Sequence, residues 1–330
     1  MGRGACSPSV HTEVDGHSFH SGDTSTSTFD PHLHFHKHME ALCTKAKQKL
    51  SMLKALTGTT WGQQKETLVA TYKALIDSIF CYASPVWFPN VSSTSLSKLQ
   101  RIQNAALRIA TGSTMMSSID HLHMEAEILT VEEHLDMLCT QFLASSLQPG
   151  HPSFPIVTAD SSPRNMKQTL QRRYAAQVES FKGEDGTIGD ADTARKTIHR
   201  LAVERSIRAR GNNRVLGTPP SPIDPEEETL NRKTRRTLSQ LRSGFCPSLE
   251  DYRLRVGLSM TDTCPCCRQE EHSVQHVFEC PAYPTELTPL DFWTRHVMAA
   301  EFLRTLPFFD PPEEERPPPE HPPQDSPNNN

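Results

Sequence analysis

The sequence has no apolar run long enough to cross a bilayer, and Met1 to Asp30 has neither the basic start nor the apolar stretch of a signal peptide. These absences lead to the expectation of an intracellular chain, in cytoplasm or nucleus, with no membrane partner. Aromatic residues are also sparse: 330 residues include 3 Trp and 5 Tyr against 26 Pro, so modest cores joined by poorly ordered connections are expected. Three motifs that organise common chemistries are missing, namely a phosphate-cradling Gly-rich loop, a nucleophile elbow and a His-Glu-x2-His helix. Nothing therefore supports a hydrolase, although Ser, His and Asp are plentiful. Nine cysteines, an odd number, lie scattered outside one cluster, which fits reduced thiols better than a disulfide framework. Cys43, Cys81 and Cys139 fall on apolar helical faces and are read as core residues.

What is present begins with that cluster. Cys264-Pro-Cys266-Cys267 is followed by His276 and Cys280, giving Cys264-x2-Cys267-x8-His276-x3-Cys280. Thiolates and imidazole bind zinc tetrahedrally, and four protein ligands close the site, so a structural Zn2+ that supplies folding energy is expected there. Cys266 or His272 could replace a named ligand. The bland alternative is a set of buried free cysteines in a small fold.

The net charge of −5 hides a pattern. Residues 37–112 carry ten basic and three acidic side chains, 113–163 none and seven, 164–255 nineteen and twelve, and 268–330 four and twelve. Two blocks are thus strongly basic, enough for a local footprint on a polyanion, although for any single lysine a solvated helix face is the simpler explanation.

Periodicity places these blocks on elements. Residues 1–28, rich in Ser, Thr, Gly and His, are expected to be disordered. The alternation His32-x-His34-x-His36-x-His38 suits a short strand or extended segment, whose four histidines could bind a metal or simply form its polar face. Helices are then expected with Met39, Leu42, Cys43, Ala46, Leu50 and Leu53 inward, next from Leu68 to near Pro85, and next from near Ser95 to Gly112. Thr130-Val-Glu-Glu133 is a capping box that opens a fourth. The fold class is therefore mainly α: an antiparallel helical bundle over 29–148, then a linker with a basic helix over 149–190 and a basic helical or irregular region over 191–256. A small zinc-knuckle module follows over 257–306, with a disordered tail over 307–330.

Several blocks resemble a known family. Lys45 to Gly58, Tyr82-Ala-Ser-Pro-Val-Trp87 and Leu99 to Gly112 resemble the region after the polymerase palm in reverse transcriptases of non-LTR, LINE-type or jockey-like retrotransposons. Leu241-Arg-Ser-Gly244, Leu249-x2-Tyr252-x2-Arg255 and the cysteine cluster resemble the carboxy-terminal end of the same polyproteins, and the match covers most of Phe29 to Pro307. The family's catalysis needs paired aspartates holding two metal ions, and this chain has no Asp-Asp pair. Fingers and palm are not expected within the stretch before the thumb-like helices.

The resemblance thus implies a noncatalytic thumb and carboxy-terminal part. Its expected partner is single-stranded RNA or DNA, as template or target. A palm encoded elsewhere, acting in trans, is the alternative from the enzyme class, and an inert or interaction-only remnant is a third reading. Thumb helices without their palm could also expose an apolar face and self-associate. The residues expected to meet phosphates are Lys45, Lys47, Lys49, Lys54, Arg101 and Arg108 on the bundle, with Arg232, Lys233, Arg235, Arg236 and Arg242 before the knuckle. Phe278 or Tyr283 could stack on an unpaired base.

Overall fold

The computed structural model describes residues 35–57, 62–158 and 170–309. It is mainly helical, and among the described residues the only β pairing is two isolated bridges, Thr57 with Gly62 and Thr263 with Glu271.

The first helix, α1 (His36–Ala55), buries Met39, Leu42, Cys43, Ala46 and Leu53, the stripe its three- and four-residue spacing requires. It starts earlier than expected. His36 and His38 lie in its first turn, where His38 is buried with its ring 5.6 Å from that of Trp87 and His36 is exposed, so they do not share a strand face. Residues two apart on a helix point to nearly opposite sides. His32 and His34 lie outside the described residues.

Next, α2 (Lys65–Tyr72), a π-helical turn (Lys73–Asp77) and α3 (Ser78–Cys81) run on as one rod. A short α4 (Ser84–Trp87) follows, with Trp87 fully buried. The long α5 (Ser93–Thr111) is capped by Ser92 and ends at Gly112, whose φ of 75° is left-handed. A Cβ at Gly112 would run into the Arg236 side chain. Both facts favour glycine there.

The sequence reading missed α6 (Ile119–Ala126), because its inward residues include His121, His123 and Glu125 rather than an apolar stripe. The capping box at Thr130 and Glu133 forms as expected and opens α7 (Val131–Ser146). After the single turn α8 (Phe154–Thr158), α9 (Leu170–Val178) and α10 (Ala191–Ala209) pack on α7. Tyr174, Val178, Ile188, Ala194 and Ile198 are buried in the same core as the bundle, so the bundle extends well past residue 148. Their stripes are thin, yet each buried apolar side chain contributes about 1.5–3 kcal/mol.

A second core is built from α11 (Arg232–Ser243), α13 (Val274–Glu279), α14 (Asp291–Thr294) and α15 (His296–Arg304), while α12 (Glu250–Arg255) buries only Asp251. Leu238, Leu241, Val277, Phe292, Trp293 and Leu303 are buried within it. Phe308 and Phe309 still pack on this core, and the Phe308 ring meets His272 edge-on at 4.5 Å, so order extends beyond residue 306.

The two cores meet across buried ions. Fully buried Arg242 on α11 forks onto Glu125 of α6, with Nε donating to Oε2 at 3.0 Å and Nη2 to Oε1 at 2.6 Å. Its Nη1 donates to Glu227 at 2.5 Å and to the Phe292 carbonyl at 2.8 Å. Lys65 lies 3.6 Å from Glu125 and 3.4 Å from Glu227, and Arg235 pairs with Glu66 and Glu227. Three cations and three carboxylates thus neutralise one another, which buried charge demands.

Candidate functional site

Cys264, Cys267, His276 and Cys280 come together: one ligand atom from each lies within 4.8 Å of all the others. Two short pieces of backbone arrange them. Cys264 and Cys267 sit on a tight turn in which the Arg268 N–H donates to the Cys264 carbonyl at 2.9 Å and the Cys264 N–H to the Glu270 carbonyl at 2.7 Å. Arg268 takes a left-handed φ of 58° to close that turn. Ser273 caps α13, its Oγ accepting from the His276 N–H at 3.4 Å, and the helix carries His276 inward and ends at Cys280.

The sulfurs of Cys264 and Cys280 are 3.9 Å apart, which is no disulfide and is close to the edge of about 3.8 Å in a zinc tetrahedron with 2.3 Å bonds. Cys267 Sγ lies 3.2 Å from His276 Nε2. The Cys267 thiol is pulled down to about 6, first by the Gln269 N–H and, against a small burial effect, by that of Glu270. A turn of converging N–H groups thus favours the thiolate, the form that binds metal. Burial pushes the Cys280 thiol up to about 11. This Cys3His cluster could hold a metal ion, and its donor set and closed geometry fit a structural one.

The alternates are outside the set of four. His272 Nδ1 accepts from the Glu250 N–H at 3.2 Å, and neither His272 nor Cys266 belongs to the cluster.

The residues expected to meet nucleic acid divide sharply. Lys45, Lys47, Lys54 and Arg101 are exposed, Lys49 is half-exposed, and Lys233 is exposed on α11. Arg242 and Arg235 are corrected: both are buried in the ion network, so their donors are committed to carboxylates. Phe278 is corrected too, since it is buried with its ring 5.0 Å from Phe292 and 5.8 Å from Phe302. Tyr283 packs on the same core, partly buried. Arg108 is half-buried and donates to the Thr114 and Ser117 carbonyls at 3.3 and 3.4 Å. Arg232 donates to the Ile109 and Ala110 carbonyls at the end of α5, as cations at helix C-termini do. Arg236 is half-buried against Gly112.

Two features were overlooked in the sequence. Lys98 on α5 joins the exposed lysines of α1, with which α5 packs. Burial raises the Cys43 thiol while the charges of Lys47 and Lys98 oppose that rise. Before the cysteine cluster in the chain, Arg253, Leu258 and Met260 are exposed, Met260 being 95% exposed.

Comparison of the chain with protein-family models, curated proteins and solved structures finds no match.

Proposed function

We propose that this chain is a noncatalytic nucleic-acid-binding protein that grips single-stranded RNA or DNA, corresponding to the thumb and carboxy-terminal part of a non-LTR reverse transcriptase. The observation that carries the reading is the charge of two packed helices. The α1 helix bears five lysines and one glutamate, and α5 bears Lys98, Arg101 and Arg108 with no acid. Lys45, Lys47, Lys54, Lys98 and Arg101 are exposed on them, where they can replace counterions along a phosphate backbone.

Zinc is the ion we assign to the Cys3His cluster. Three thiolates and an imidazole are soft enough to select it over magnesium or calcium, and four protein ligands leave no position for catalytic water. The metal's part is to fix the turn at Cys264 against α13. The order of the retrotransposon-like blocks along the chain supports the same assignment.

The face is tested by replacing Lys47 and Lys98 with Ala together and measuring affinity for a labelled single-stranded RNA across a salt series. Loss of two phosphate contacts lowers the slope of log affinity against log salt by about 1.4, since each contact on a single strand contributes about 0.7. Unchanged affinity and slope would remove this face from the site.

A further inference from the structure

A second set of metal-type ligands lies away from the knuckle. Asp77, Cys81 and His134 bring one ligand atom each to within 4.8 Å of one another. Asp77 ends the π-helical turn, Cys81 ends α3 one turn later on the same face, and His134 stands in the first half of α7, against which α3 packs. We propose that these three residues form a second metal site, which takes a zinc-class divalent ion and keeps a coordination position open to solvent. It is independent of the nucleic-acid reading.

The distances suit a tetrahedral ion. His134 Nδ1 is 3.3 Å from Asp77 Oδ1 and 3.8 Å from Cys81 Sγ. A zinc tetrahedron with N and O at about 2.1 Å and S at about 2.3 Å has edges of about 3.4 Å and about 3.6 Å for those pairs. As plain hydrogen bonds, the same contacts are at the long limit.

The surroundings hold the carboxylate as metal sites do. Fully buried Tyr72 donates to Asp77 Oδ1 at 3.3 Å, and Gln103 Nε2 donates to the Tyr72 hydroxyl at 2.9 Å while also donating to the Leu129 carbonyl. Tyr72 and Asp77 are five residues apart, a separation that a π turn brings into register and a regular α-helix does not. Single π turns recur at functional sites, and outer-shell hydrogen bonds of this kind orient ligating carboxylates.

Charge and access also fit. Binding breaks the Cys81 S–H bond and forms a sulfur–metal bond, with the proton leaving to solvent; His134 binds as neutral imidazole and Asp77 as carboxylate. Two negative ligands then neutralise a divalent ion in a half-buried position. Asp77 and His134 also line a cleft of about 990 Å³ that contains Lys73, His121, His199 and Arg210. Three protein ligands with an open fourth position facing such a cleft is the arrangement of an exchangeable site, in contrast to the closed knuckle.

The test is the zinc content of the full chain by native mass spectrometry, with helicity followed by circular dichroism. His134→Ala and Cys81→Ala are each expected to lose one zinc relative to the wild type while keeping helicity. Cys280→Ser serves as a separate control on the knuckle, and its outcome bears only on that site. Equal zinc content in the wild type and both variants overturns the proposal, and leaves the triad as a hydrogen-bonded contact between α3 and α7.

Discussion

Arg242 shows what one residue can hide. In the sequence it is one more arginine in a basic block, while in the fold it is fully buried and donates to Glu125, Glu227 and a carbonyl. Its chief partner is 117 residues away, a separation that no local pattern can signal. Removing one member of such a network strands a buried charge, so Arg242→Ala is expected to cost about 3–5 kcal/mol in urea unfolding. Burial alone would raise the Glu125 carboxyl, but Arg242 and then Lys65 override it and hold it down to about 2 from an ordinary 4.5. The stabilisation this gives is fully present above about pH 4.5 and is lost as pH falls toward 2. The urea midpoint of the wild type should therefore drop more steeply across that window than that of Glu125→Gln. Equal slopes would mean that the pair does not hold the fold together.

At the level of elements, legibility followed the chemistry of the inward face. The bundle helices that bury Leu, Ile, Ala and Met were readable from spacing, and the capping box at Thr130 forms with its Oγ accepting from the Glu133 N–H at 3.2 Å. Thr130→Ala is expected to destabilise by about 1 kcal/mol, and Thr130→Ser, which keeps the oxygen, by much less; differential unfolding of the two variants checks this. Helix α6 was illegible because it turns His121, His123 and Glu125 inward, toward Ser239, Gln100 and Arg242 on other elements. Of the histidine alternation before residue 39, His36 and His38 lie on a helix and not on the extended segment expected. Phe35 and His38 are instead buried at the start of α1, and burial there outweighs the period-two pattern.

The cysteine cluster was the most legible part of the site, because its four ligands lie within one short stretch and their spacing constrains them. The basic surface was half legible. Spacing showed that lysines lay off the apolar stripe of α1, but whether an arginine of α11 faces solvent or a carboxylate is decided by how two cores dock.

Across the whole molecule, two helical cores share a neutral, largely buried network of ions, and the mostly buried Cys3His cluster takes His276 from α13 of the second core. Metal loss should therefore loosen the second core first. Chelation is expected to lower its thermal midpoint while the bundle, which has no part in the cluster, unfolds near its original temperature. A single transition unaffected by chelation would contradict the structural role given to the metal.

The central claim is that a metal-fixed module and a basic helical face together bind a nucleic-acid strand, and its most direct measurement is the affinity of the full chain for labelled single-stranded RNA over a salt series, zinc-loaded and after chelation. The account predicts binding that weakens steeply with salt and weakens further when zinc is removed. A folded, zinc-loaded protein that fails to bind RNA at low salt would contradict it.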